Sequence, residues 1–86
     1  MEPILPSWFK QRQAKAEPAG TDTYRLTAPN LGEAFISIRR ADNGRWSAAL
    51  RLAADGPDVA VTEPTFDQPA DAWEAAFELY RAHVVT

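Results

Sequence analysis

The residues that could do chemistry in this chain are few and scattered. His83 is the only histidine among the 86 residues, and cysteine is absent. A transition-metal site would have to use carboxylates alone, which is uncommon. Asp42, Asp55 and Asp58 stand in segments of turn composition, where aspartate is favoured for local hydrogen bonds, and they are too scattered for a calcium loop. The sequence therefore predicts neither a metal site nor a cofactor.

Catalytic groupings are equally hard to find in the sequence. Ser7, Ser37 and Ser47 have no visible partner that could act as a base. The four glycines are dispersed and form no phosphate-binding loop. No two carboxylates stand out as the pair that a glycoside hydrolase needs. We therefore expect a protein that is not an enzyme.

A set of arginines close to hydroxyl and aromatic residues is the sharpest binding candidate. Such a set on one sheet face can contact phosphates or stack on a base. An ordinary solvated sheet face also has long charged side chains, so both interpretations stay open. The predicted set contains Arg39, Arg45, Arg51 and Phe35, with Ser37, Ser47 and Arg25 as neighbours.

Charge is distributed unevenly between the two halves of the chain. Residues 1–51 hold eight basic and five acidic side chains, whereas residues 52–86 hold one basic and seven acidic ones. The asymmetry allows a basic surface on an acidic protein, or a simple attraction between the halves within one fold. The net charge of −3 disfavours general binding to polyanions such as nucleic acids.

Trp8 and Phe9 form the second binding candidate, because their segment is too poor in apolar residues to bury them. Prolines and a glycine interrupt residues 1–23, and Ser7 could cap a short helix from Trp8 to about residue 16. A linker over residues 17–23 follows in this interpretation. The two aromatic rings could cover an edge of the sheet, anchor a partner protein or dock into a second subunit.

Alternating apolar residues predict a run of strands over about residues 24–62. Tyr24 and Leu26 share one face, and Asn43-Gly44 is typical of a tight hairpin turn because both residues tolerate positive φ. Pro64 lies beyond the final strand, where its missing amide costs no central ladder bond. Short connections between consecutive strands favour an antiparallel meander of three or four strands.

Helical spacing returns near the C-terminus and predicts a helix over about residues 68–84. Asp67 is the expected N-cap, and Pro69 falls in the first turn, where its missing amide is tolerated. The opposite side of this helix is acidic. Its apolar face consists of Trp73, Ala76, Phe77, Tyr80 and Val84.

Together these elements predict an α+β fold, in which the C-terminal helix covers one face of the antiparallel sheet. A short N-terminal helix or tail with its linker, residues 1–23, would precede a single small domain over residues 24–86. A chain of this length buries enough surface for one modest core.

In topology, the predicted order resembles several small families. Asp42-Asn43-Gly44-Arg45-Trp46, a following strand and a helix after Phe66-Asp67 resemble the partial ribonuclease-H-like domain of HicB antitoxins. Three strands backed by a helix resemble integrase arm-binding domains, and an N-terminal helix before the strands resembles double-stranded RNA-binding domains. The chain departs from the last family because Asp71 and Glu74 stand where a basic helix start would be needed.

The expected function is therefore that of a small non-enzymatic protein-interaction module, with itself or another protein as partner, and homo-oligomers are included. The alternative is a nucleic-acid-binding module that uses the basic open face of the sheet. No stretch of about 18 apolar residues occurs, so we expect no membrane partner and a cytoplasmic location. Abundant alanine and arginine, with only two lysines, indicate a bacterial or phage source.

Overall fold

The fold is a five-stranded antiparallel sheet with a helix packed on one face. The computed structural model describes residues 3–85, and its strands follow one another across the sheet in chain order. This arrangement confirms the predicted α+β architecture. The elements are α1 (Ser7–Gln11), β1 (Lys15–Gly20), β2 (Thr23–Ala28), β3 (Leu31–Arg40), β4 (Trp46–Arg51), β5 (Asp58–Val61) and α2 (Pro69–Tyr80).

The sheet has five strands rather than three or four, because β1 occupies most of the segment predicted as a linker. Glu17 pairs with Arg25 and Pro18 with Tyr24 in an antiparallel β1–β2 ladder. Most β1 residues are exposed, since the strand lies at an edge of the sheet. Without a buried face there is no alternation of apolar and polar residues, and the sequence pattern gives no strand signal.

The turn between β3 and β4 is a hairpin, as predicted, but its geometry is looser than the tight two-residue form. The Ala41 N–H donates to the Arg45 carbonyl at 2.8 Å, which leaves three residues in the loop. Of the Asn-Gly pair, only Gly44 takes a left-handed backbone, with φ of +81°. Asn43 acts through its side chain instead, since its Oδ1 accepts from the Arg45 N–H at 2.9 Å.

Helix α2 begins at Pro69, and its N-cap is Gln68 rather than the predicted Asp67. No side chain caps the first turn: the Asp71 N–H donates to the Gln68 carbonyl at 3.2 Å, and Pro69 has no N–H that would need an acceptor. Asp67 instead forms an ion pair with Arg45, with 3.3 Å between Oδ1 and Nε. Beyond α2 the chain continues as one wider π-helical turn, Arg81–Val85. The regular helix is therefore shorter than the predicted 68–84.

The core lies between α2 and the facing side of the sheet. Trp73, Phe77 and Tyr80 of α2 are fully or almost fully buried there. Phe9 of α1 is also fully buried, and its ring centroid lies 5.2 Å from that of Phe77. Burial of a phenylalanine side chain stabilises a fold by about 1.5–3 kcal/mol. The sheet contributes Leu26, Ala34, Ile36, Ile38, Ala48 and Leu50 to this core.

Candidate protein interface

The register of β3 and β4 places three of the predicted site residues on the sheet face turned away from α2. Phe35 pairs with Arg51, and Arg39 pairs with Ser47. The Arg51 guanidinium lies over the Phe35 ring, with Cζ 5.7 Å from the ring centroid. As a result Phe35 is only 5% exposed, so it is not an aromatic platform open to a base.

Each arginine of this predicted site already has a partner within the chain. Arg39 pairs with Asp58 at 3.2 Å, and the Arg51 Nη1 donates to the Ala54 carbonyl at 2.8 Å. Arg45 is drawn away from the other two by its ion pair with Asp67 at the start of α2. The charge on this face is therefore largely compensated, which is unfavourable for phosphate binding.

The second predicted pair, Trp8 and Phe9, is divided between the surface and the core. Phe9 is fully buried, so it is a core residue in this fold and not an exposed anchor. Trp8 is half-buried and stacks on Tyr80, with a centroid distance of 6.4 Å and planes 20° apart. The Arg81 guanidinium lies over the Trp8 ring at 5.4 Å. The fold thus packs Trp8 against α2, so this side chain does not stand alone on the surface.

The free edge of the sheet lies at β5, whose residues were not among the binding residues predicted from the sequence. Val59, Val61 and nearby Leu52 are 47%, 55% and 51% exposed, and they are three of the four large apolar side chains exposed among residues 3–85. Ala60, between the valines, packs against the core. Val61, which pairs with Ala49, therefore projects from the open face, because successive side chains of a strand alternate. Val59 lies at a register shift between the Leu50–Ala60 and Arg51–Asp58 pairs, where this alternation is interrupted.

Backbone groups of β5 are also available at this edge. The Thr62 N–H donates to the Ala48 carbonyl at 2.9 Å, so the Thr62 backbone faces β4. In an antiparallel strand the direction of the backbone groups alternates, so Val61 presents its N–H and C=O outward, with Val59 two residues before it. Such unpaired groups can template another strand.

The opposite edge, at β1, is blocked. Pro18 has no N–H to offer, and Lys15 and Glu17 put exposed charges on the strand. The register also shifts between Pro18 and Gly20, which has φ of +141°. Proline, charged residues and irregular register are the usual means by which an edge strand avoids pairing with another chain.

A cleft of about 600 Å³, here called the N-terminal cleft, lies between the N-terminal segment and α2. Ile4, Pro6 and Trp8 line it from one side, and Trp73 lines it from the other. Three carboxylates of α2 also line this cleft: Asp71, Glu74 and Glu78. A second, more open cleft of about 570 Å³ lies across the helix against Phe66 and Leu79 and shares these carboxylates. The exposed side of α2 is thus an acidic ridge between two apolar clefts.

No group of three or more histidine, aspartate or glutamate side chains within residues 3–85 could hold a metal ion. Within the same range, no helix is long and apolar enough to cross a membrane.

Comparison with protein families, with characterised proteins and with solved structures finds no match to this chain. The resemblances in topology to antitoxin, integrase and RNA-binding domains therefore gain no support from related proteins. Since fold alone does not establish function, the arguments for function rest on the β5 edge and the N-terminal cleft.

Proposed function

We propose that this chain is a non-enzymatic protein-interaction module that pairs with a second copy of itself through the β5 edge. The observation that supports this most directly is the contrast between the two edges. One edge is blocked by a proline and by charged residues within the strand, whereas the other exposes two valines and free backbone groups. Proteins that avoid self-association protect both edges of a sheet.

The sequence of β5 is self-complementary about Ala60. In an antiparallel pair of two β5 strands, a two-fold axis at Ala60 places Val59 of one copy opposite Val61 of the other. The four valines then form one apolar cluster, which is the favoured kind of cross-strand contact. Ala60 meets its own copy, and its small side chain leaves room for close approach. The interface is isologous, as in most homodimers.

Charge does not oppose this register. Asp58 precedes the register shift in β5 and lies outside the paired segment 59–61, so two like charges do not meet across the axis. Asp58 also has Arg39 at 3.2 Å within its own chain. The carboxylates of α2 line a cleft with Thr62 on the helix side of the sheet, and Val61 projects from the opposite face. The pairing therefore joins apolar and backbone groups without burying an uncompensated charge.

The rival function, nucleic-acid binding on the open face, has weaker support. Arg39 and Arg45 each face a carboxylate, and Arg51 is held by a carbonyl and by Phe35. Phosphate binding would have to break these contacts and overcome the negative net charge of the protein.

The test is the oligomeric state of a variant with a charge at the open edge. Val61→Lys should convert the dimer to a monomer, because two lysines would enter the apolar cluster and edge lysines oppose strand pairing. Val61 is 55% exposed, so we expect the variant to fold normally. Light scattering coupled to size-exclusion chromatography over a range of concentrations would give the mass of each form, and circular dichroism would confirm folding.

Ile4→Lys is the matched control, since Ile4 is an exposed apolar residue on a different part of the surface, with 88% of it accessible. This variant receives the same charge and should stay dimeric. A wild-type protein that is monomeric at every concentration would refute the proposal. A dimer that persists in Val61→Lys would also refute it, because the interface would then lie elsewhere.

A further inference from the structure

The N-terminal cleft has the composition of a binding site for a cationic partner. We infer that it binds a polypeptide segment of another protein through an arginine side chain. This inference is independent of self-pairing at β5, because the cleft lies on the helix side of the sheet. A monomeric form of the protein would have the same cleft.

The size and walls of the cleft suit a peptide side chain and its neighbours. Its volume of about 600 Å³ lies within the range of small-ligand sites, about 300–1,000 Å³. Trp8 and Pro6 supply apolar surface on one side, whereas Trp73 on the other side is only 2% exposed. Ile4 lines the cleft and is 88% exposed. An apolar partner residue that covers Ile4 would therefore remove unfavourable surface from water.

The charge of the cleft selects a cation. Asp71, Glu74 and Glu78 are three and four residues apart on α2, so their side chains are neighbours on one helix face. Among residues 3–85, Asp71 and Glu74 have no ion-pair partner, and Glu78 has only Arg81, at 3.8 Å. Like charges at this spacing repel each other. A bound cation would relieve that repulsion, whereas an anion would increase it.

The chain itself shows how a guanidinium is held at this place. Arg81 lies over the Trp8 ring at 5.4 Å and reaches the Glu78 carboxylate. The combination of an indole and a carboxylate suits arginine better than lysine, because the guanidinium is planar and can stack while it donates hydrogen bonds. The carboxylates of Asp71 and Glu74 can therefore form ion pairs with a second arginine, which the partner supplies.

A polypeptide fits the cleft better than a small free cation. Pro6, Trp8 and Ile4 give the cleft apolar walls beside its carboxylates. A peptide brings apolar side chains for these walls together with its cation. A small cation would satisfy only the carboxylates and would leave the apolar walls in contact with water.

The experiment uses a capped hexapeptide of alternating arginine and leucine, titrated into the full chain by calorimetry. Saturable binding at one site is expected. Asp71→Asn and Glu74→Gln should each weaken it about two- to fivefold, as expected for an exposed charge pair. Glu17→Gln is the control, because it makes the same change in net charge on β1, outside the cleft. Its affinity should stay within the error of the wild type.

A peptide with lysine in place of arginine should bind more weakly, since an ammonium cannot donate to the Asp71 and Glu74 carboxylates through a planar fork of N–H groups, as a guanidinium can. Equal affinity of the two peptides would overturn the proposed role of the guanidinium. Absence of saturable binding, or equal weakening by Glu17→Gln and Glu74→Gln, would overturn the site itself. Neither result would affect the dimer, whose test measures mass rather than peptide affinity.

Discussion

At the scale of single residues, Tyr80 is the clearest case of a polar group that the fold leaves without a partner. Its side chain is fully buried beside Phe9 and Trp8, and its hydroxyl has no hydrogen-bond partner among residues 3–85. Burial raises the pKa of the Tyr80 hydroxyl above its ordinary value of 10.0, and the positive charge of Arg12 opposes this shift in part. The ring of Tyr80 therefore stabilises the fold by packing, whereas its buried, unpaired hydroxyl lowers the free energy of unfolding.

Tyr80→Phe should raise the free energy of unfolding by about 1 kcal/mol at neutral pH. The substitution keeps the ring and removes a buried hydroxyl whose desolvation costs about 1–3 kcal/mol when it is unpaired. Urea denaturation followed by circular dichroism would measure the change. A loss of stability in Tyr80→Phe would show that the hydroxyl has a favourable partner.

The same pair of proteins should differ in their response to alkaline pH. Because the pKa of Tyr80 is higher in the folded state, the unfolded chain loses this proton first as the pH rises past about 10. The free energy of unfolding of the wild type should then fall, and that of Tyr80→Phe should fall less. Denaturation curves between pH 8 and pH 11 would show this difference, and parallel curves would contradict it.

The partners of the arginines could not be predicted from the sequence, because they come from distant parts of the chain. Arg39 meets Asp58 across the sheet, and Arg45 meets Asp67 at the start of α2. Alternation correctly placed Phe35, Arg39 and Arg51 on one face. It gave no information on which carboxylates would neutralise that face, since such pairs depend on strand order and on loop paths.

At the scale of elements, one threonine side chain adds to the backbone hydrogen bonds that join β4 and β5. The Thr62 Oγ1 accepts a hydrogen bond from the Ala48 N–H at 2.9 Å, in the place that a backbone carbonyl would occupy in a regular ladder. Ala48 is fully buried, so its N–H has no access to water. The hydroxyl therefore holds the end of β5 against β4.

Thr62→Val should lower the free energy of unfolding by about 1–3 kcal/mol, because it keeps the side-chain shape but leaves the Ala48 N–H buried without an acceptor. Thr62→Ser is the matched control, since it retains the hydroxyl and should cost less. Urea denaturation would give both values, and amide exchange at Ala48 should accelerate in the valine variant alone. Equal stabilities of the two variants would exclude this role for the hydroxyl.

Elements with a buried face could be predicted, and those without one could not. The 3.6-residue period of Trp73, Phe77 and Tyr80 indicated α2, and the period of two indicated β2 to β5. Strand β1 has no buried face, so its sequence lacks the alternation of apolar and polar residues and resembles that of a linker. The N-terminal cleft was also unpredictable, because it exists only where residues 3–8 lie against α2.

At the scale of the whole molecule, the two ends of the chain share one core. Phe9 near the N-terminus lies against Phe77 and Tyr80 near the C-terminus, with centroid distances of 5.2 and 6.0 Å. A small domain has only a few kcal/mol of net stability. A contact of this kind therefore couples the N-terminal segment to the folding of the sheet and helix.

Phe9→Ala should unfold the protein at 25 °C, because loss of a buried phenylalanine costs about 3–5 kcal/mol. Phe9→Leu should remain folded with a loss of about 1–2 kcal/mol, in a single transition seen alike by tryptophan fluorescence and circular dichroism. Ile4→Ala, at an exposed position, should change stability by less than about 0.5 kcal/mol. Unchanged stability in both Phe9 variants would mean that Phe9 is a surface anchor after all.

The difference between the two sheet edges also limits how many copies of the chain can join in one assembly. A strand at a blocked edge cannot pair with a strand of another molecule. Each chain therefore has one edge, at β5, that is open to strand addition. The proposed pairing through β5 would therefore end at two copies, with the β1 edge of each copy on the outside of a ten-stranded sheet. Growth into a fibril requires two open edges on each molecule. Pro18 and its neighbours would thus stop further copies from adding at β1. Without them, a dimer could grow into a polymer.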